Sequence, residues 1–226
     1  MAVPGIATAA DYSEAIGVAR RAKSVIALLL LLILVVQIAA FFLIKYDIIK
    51  ISGVNAGVTG VAVTDETVAT TQDSGQKWSN AMHYVSGLTL LLGLGLSVLL
   101  SVLLCMIGHI MLVGRLIGVG KVTSALVWSF VLLLFLFPWQ IFAHNTDLSI
   151  PGALWSWDEL VRRYDFPNDF SADGIAQTLL NWFRFVGAPL VALILVLIVQ
   201  LKSNRGIRMA MGEDEVLNSM MNDVNA

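Results

Sequence analysis

The sequence predicts an all-α integral membrane protein with four transmembrane helices. Composition is the first reason: 58% of the 226 residues are hydrophobic and 13% are charged, with a mean hydropathy of +0.81. A soluble domain carries about 25% charged residues. The second reason is four apolar stretches, 24–44, 84–113, 122–143 and 185–201. Each is long enough to cross about 30 Å of hydrocarbon, which takes roughly 20 residues. The third is charge placement. None of the four contains Asp, Glu, Lys or Arg, so the charges fall in the connections. The whole chain, 1–226, reads as a single membrane domain.

The amino-terminal segment, 1–23, reads as a short cytoplasmic helix. Asp11 with Glu14 three residues on resembles a capping box, and Tyr12, Ile16 and Ala19 give a weak apolar face. Arg20, Arg21 and Lys23 lead into the first span. That lead-in follows a long polar segment, and the apolar core exceeds a typical signal-peptide core, so the stretch reads as an uncleaved anchor.

The first outer loop, 46–80, differs from the rest. From Gly53 to Thr64 it is small, β-branched and punctuated by glycine. A short β-hairpin turning near Asn55-Ala56-Gly57 fits this pattern, and a flexible loop fits it equally. An exposed strand there would offer a pairing edge to a partner chain. Gln72-Asp73-Ser74-Gly75 reads as a turn.

The second span, 84–113, is longer than a bilayer needs and is expected to tilt or project. Thr89, Gly93, Ser97, Ser101, Cys105 and His109 recur every fourth residue along it. Positions i and i+4 lie nearly above one another on a helix. Such a stripe of small and weakly polar residues is where a second transmembrane helix approaches closely, with hydroxyls bonding across the gap. Gly114 and Gly118 form a further small-xxx-small pair at the following turn, and Gly120 with Ser124 continues it. These residues predict tight helix packing, inside one bundle or against a neighbouring subunit.

The third span, 122–143, contains Pro138, and the fourth, 185–201, opens on Gly187-Ala188-Pro189. Both prolines are expected to kink a helix or adjust its entry angle. Between them the second outer loop, 145–184, carries two helix starts. Ser156-Trp157-Asp158-Glu159 is a capping box, with Pro167 ending that helix, and Ser171 begins another running past Ile175, Leu179, Leu180 and Phe183. Trp155, Trp157, Tyr164 and Trp182 are of the headgroup-seeking type, so these helices are expected to lie in the interface. The tail, 203–226, turns from basic (Arg205, Arg208) to acidic (Glu213, Asp214, Glu215).

Basic residues flanking the short connections set orientation. Arg20, Arg21 and Lys23, then Arg115 and Lys121, then Lys202, Arg205 and Arg208 all fall on one side. That places both termini in the cytoplasm, in a plasma or inner cell membrane.

Net charge is −2, with no clustered basic face of the kind nucleic acid requires. The expected partners are therefore the lipid bilayer and other membrane subunits or further copies of the chain. The one cysteine, Cys105, cannot form an internal disulfide. The sequence contains no glycine-rich phosphate loop, HExxH, CxxC or serine elbow, so no catalytic residue and no required cofactor is predicted.

The histidines are the one ligand set to weigh. His83 opens the second span and His144 closes the third on the same side, an arrangement in which two imidazoles could hold a b-type haem. A histidine at a span end is more commonly an interface residue. His109, at membrane depth, reads as a hydrogen-bonding group or a proton or metal ligand. The functional expectation is a non-enzymatic structural or accessory subunit of a membrane assembly. A haem-binding anchor subunit is the alternative, and a small oligomeric channel or permease the third reading.

Overall fold

A computed structural model describes residues 9–46, 68–139, 152–157, 159–160 and 178–212. Four helices carry the chain: α1 (Ala9–Lys45), α2 (Val68–Val113), α3 (Val119–Leu136) and α4 (Thr178–Ala210). All four contain a segment long and apolar enough to cross a membrane. There is no strand among the described residues. The hairpin expected over 53–64, the helix stop at Pro167, His144 and the acidic tail all lie outside them.

Several boundaries differ from the expectation. α2 begins at Val68, so the predicted turn at Gln72–Gly75 has a helical backbone. Its residues disfavour helix by less than about 1 kcal/mol each. A long helix that is already nucleated propagates through such a stretch. α1 starts two residues before Asp11, at Ala9. α3 stops at Leu136, short of the expected 143. Pro138 explains this, because the residue before a proline is pushed out of the helical region.

The buried positions of each helix are spaced three and four apart in alternation. On α1 they run Lys23, Ala27, Leu30, Leu34, Gln37, Phe41, Ile44. On α3 they run Val122, Ala125, Ser129, Leu132, Leu136. This 3.5-residue repeat is the signature of knobs-into-holes helix packing. The outward faces remain apolar. Only 28% to 44% of the most apolar stretch of each helix is buried, which leaves broad apolar surfaces facing outward.

The chain divides into two compact units. The first comprises residues 1–31, 95–135 and 193–226. Ile16, Ile107, Met111, Val122 and Ile207 form a core there, with Leu103, Ile110, Leu116 and Val119 packed on it. In this unit α2 ends in a Schellman motif. Leu116 N–H donates to Met111 O (2.9 Å) and Arg115 N–H to Leu112 O (3.2 Å), with Arg115 left-handed at φ 52°. Met111 and Leu116, the pair expected to touch across such a cap, both belong to this core cluster. Gly118, at φ 98°, then lets the turn reach α4. A Cβ on it would sit 2.6 Å from the Gly206 carbonyl oxygen, and a Cβ on Gly206 would sit 2.7 Å from Val122 Cγ2.

The second unit comprises residues 32–94 and 136–192. Its core is aromatic: Phe41, Ile44, Trp155, Trp157, Leu160 and Phe185. Phe41 stacks on Phe185 at 5.4 Å between centroids, and Trp155 meets Phe185 edge-on at 5.8 Å.

Candidate functional site

The two units hold different polar clusters, and each begins from a local feature of sequence. In the second unit, α4 carries a π-helical turn over Phe183–Gly187, in which Ala188 N–H reaches back five residues to Phe183 O. Pro189 accounts for it. Proline has no N–H to give and its ring crowds the carbonyl four residues earlier, so the preceding turn widens. Gly187 completes the arrangement, since a Cβ there would lie 2.8 Å from the Phe183 ring.

The widened turn holds Arg184 inward at 3% exposure. Its Nε donates to Glu159 Oε1 and its Nη2 to Glu159 Oε2, both at 2.8 Å, and Nη2 also reaches Leu154 O at 3.3 Å. The predicted capping residue Ser156 does cap its short turn: Glu159 N–H donates to Ser156 Oγ at 3.3 Å. The Glu159 carboxylate makes a bidentate bond to Arg184, a stronger and geometrically fixed interaction.

The same unit holds a small cavity of about 10 Å³, lined by Gln37, Ser86, Thr89, Trp155 and neighbouring apolar groups. That volume admits about one water molecule. Gln37 is 3% exposed. Its amide oxygen and nitrogen, and the Trp155 indole N–H, find no hydrogen-bond partner among the described residues. Ser86 Oγ donates to Trp155 O at 3.2 Å and so ties the 152–157 segment to α2.

In the first unit the polar layer is cationic. Lys23 is fully buried, and its ammonium donates to Ser203 Oγ and Asn204 Oδ1, both at 2.6 Å. Gln200 Nε2 donates to Ser24 Oγ at 3.2 Å. Lys202 Nζ donates to Ser124 Oγ at 2.9 Å and lies 5.5 Å from the centre of the Trp128 ring. A partly open cavity of about 530 Å³ sits beside Lys202, lined by Gly118, Gly120, Lys121, Ser124, Lys202, Arg205 and Met209.

The stripe residues divide. Gly93, Ser97 and Ser101 are buried and Thr89 is half-buried, whereas Cys105 and His109 are exposed. Each step of four residues overshoots a turn by about 40°, so four steps from Gly93 to His109 turn the stripe through about 160°. The buried line follows Ser97, Leu100, Leu104, Ile107 and Met111 instead. Gly93 serves close packing: a Cβ on it would meet Leu154 Cδ1 at 3.0 Å and Ile33 Cγ2 at 3.6 Å. Thr89 and Ser101 donate their hydroxyl protons to the carbonyls of Ser86 and Ser97 on their own helix. Gly114 meets its own turn, with Ile110 O at 3.2 Å, while Gly118 meets α4.

His83 is exposed, its ring edge-on to Tyr84 at 6.2 Å, and the proposed haem partner His144 lies outside the described residues. No group of three or more His, Cys, Asp or Glu side chains that could hold a metal occurs among the described residues.

Sequence reasoning missed Lys23, Gly206 and the Glu159–Arg184 pair. In the sequence Lys23 counts only among the basic residues that orient the spans. Spacing alone does carry a trace of Lys23, which falls seven residues after Ile16 and seven before Leu30 on the buried line of α1. Comparison with protein families, curated proteins and solved structures gives no match.

Proposed function

We propose that this chain is a non-catalytic, multi-pass subunit of a cell-membrane assembly, with both termini cytoplasmic, and that α2 offers its outward face to a neighbouring helix. The observation that supports this most directly is the composition of that face in the first unit. Gly95, Val98, Val102, Cys105 and His109 are all exposed. They fall within an arc of about 80° on α2, taking 100° per residue. A glycine and an imidazole are poor lipid-facing residues. At an interface the glycine admits a second backbone and the imidazole finds a hydrogen-bond partner. A Cβ built on Gly95 would meet nothing within 4 Å, so the space beside it is open.

The single cysteine makes the test direct. A photocrosslinker attached to Cys105 in native membranes should yield one adduct of defined mass, and Gly95→Leu should abolish it while leaving the chain folded. Labelling of lipid alone, or an adduct indifferent to Gly95→Leu, would sink the reading. A mass of twice the chain would identify the neighbour as a second copy.

A further inference from the structure

We propose that the cavity bounded by Gly118, Gly120, Lys121, Ser124, Lys202, Arg205 and Met209 is a phosphate site, filled by the headgroup of an anionic phospholipid. It is independent of the identity of any partner subunit.

Three cations line this cavity, and no acidic side chain does so among the described residues. Lys202 is held in place by Ser124 Oγ at 2.9 Å and by the Trp128 ring face. An ammonium has three donors, and the serine takes one. Lys121 and Arg205 are exposed at the rim, free to close on an anion. The amino-terminal turn of α3, an 18-residue helix, supplies Gly120 and Lys121 to the same wall. Such a turn carries partial positive charge and is suited to phosphate. Gly120 is exposed, and the space where a Cβ would stand is open.

A lipid headgroup accounts for more of the surroundings than a free ion does. The cavity, at about 530 Å³, is many times the roughly 30 Å³ share of one water. On α3, Val127 and Val131 follow Ser124 at helical spacing and are 57% and 42% exposed. On α4, Leu201, Leu197 and Ile194 precede Arg205 on one side and are 70%, 42% and 54% exposed. Acyl chains leaving a headgroup in the cavity would run along these apolar rows. Basic pockets between helix ends are a recurrent setting for anionic headgroups.

The test titrates the full chain in neutral detergent with three probes: short-chain phosphatidylglycerol, short-chain phosphatidylcholine and inorganic phosphate. Native mass spectrometry counts the bound molecules. The E213Q/D214Q/E215Q chain is run in parallel, so that the acidic run cannot mask the site. Saturable binding of one phosphatidylglycerol, far weaker binding of phosphatidylcholine and poor competition by phosphate are expected. Lys121→Gln and Arg205→Gln alter exposed side chains and should each weaken binding about fivefold, the double variant about 25-fold. Phosphate binding as tight as the lipid's would keep the anion site and overturn the lipid assignment. Equal binding of both lipids, an affinity unmoved in the double variant, or no binding by either chain would overturn the proposal.

Discussion

Gln37 buries an amide whose two polar atoms have no partner among the described residues. Leaving such a group unsatisfied costs about 1–3 kcal/mol. Gln37→Leu is therefore expected to raise the melting temperature in detergent. A fall would show that the amide is bridged through the water-sized cavity beside it. Arg115 poses the opposite case, a backbone problem rather than a side-chain one. A non-glycine residue in the left-handed region costs about 1–2 kcal/mol. Arg115→Gly relieves it at some loss of unfolded-state entropy, so a net gain of up to about 1 kcal/mol is expected from thermal or denaturant unfolding. At this scale the sequence is only partly legible. Gln37 stands out as a polar group inside an apolar span. Arg115 does not, because the glycine usual at such a cap is absent and the left-handed conformation leaves no mark in composition.

At the scale of the element, the difference between a repeat of four and a repeat of three and four decides which face of a helix is covered. The stripe on α2 is real in sequence and coincides with the buried side only over its first turns. A periodicity that drifts by about 40° per step must leave that side within a few turns. The π-helical turn of α4 is legible as Gly187-Ala188-Pro189, although its consequence is not. It presents a buried arginine to Glu159, a carboxylate 25 residues away in the chain. Separate substitution of Arg184 or Glu159 leaves one buried charge alone and is expected to cost about 3–5 kcal/mol. Replacing both by apolar residues of similar volume should recover most of that loss. A double-mutant cycle on melting in detergent reads the coupling, and simple additivity would mean the pair is not formed.

For the molecule as a whole, hydropathy and length reveal four apolar helices because a segment able to cross a membrane must be long, apolar and self-satisfied in its backbone. Helix ends and connections are less legible, since they are set by tertiary contacts such as Ser86 to Trp155 O and by single prolines. The contacts of α4 also bear on how the chain can be divided. Within the second unit it meets the 152–160 segment through Arg184 on Glu159 and Leu154 O and through Phe185 on Trp155. Within the first unit it accepts the Lys23 ammonium. These links do not depend on the covalent thread between residues 160 and 178. Co-expression of two polypeptides, one ending and the other starting inside that interval, is expected to give a non-covalent pair that co-purifies through a tag on either piece. Charge reversal at Arg184 should prevent the reconstitution. Such a chain would behave as a three-helix receptor and a one-helix ligand that happen to be translated together.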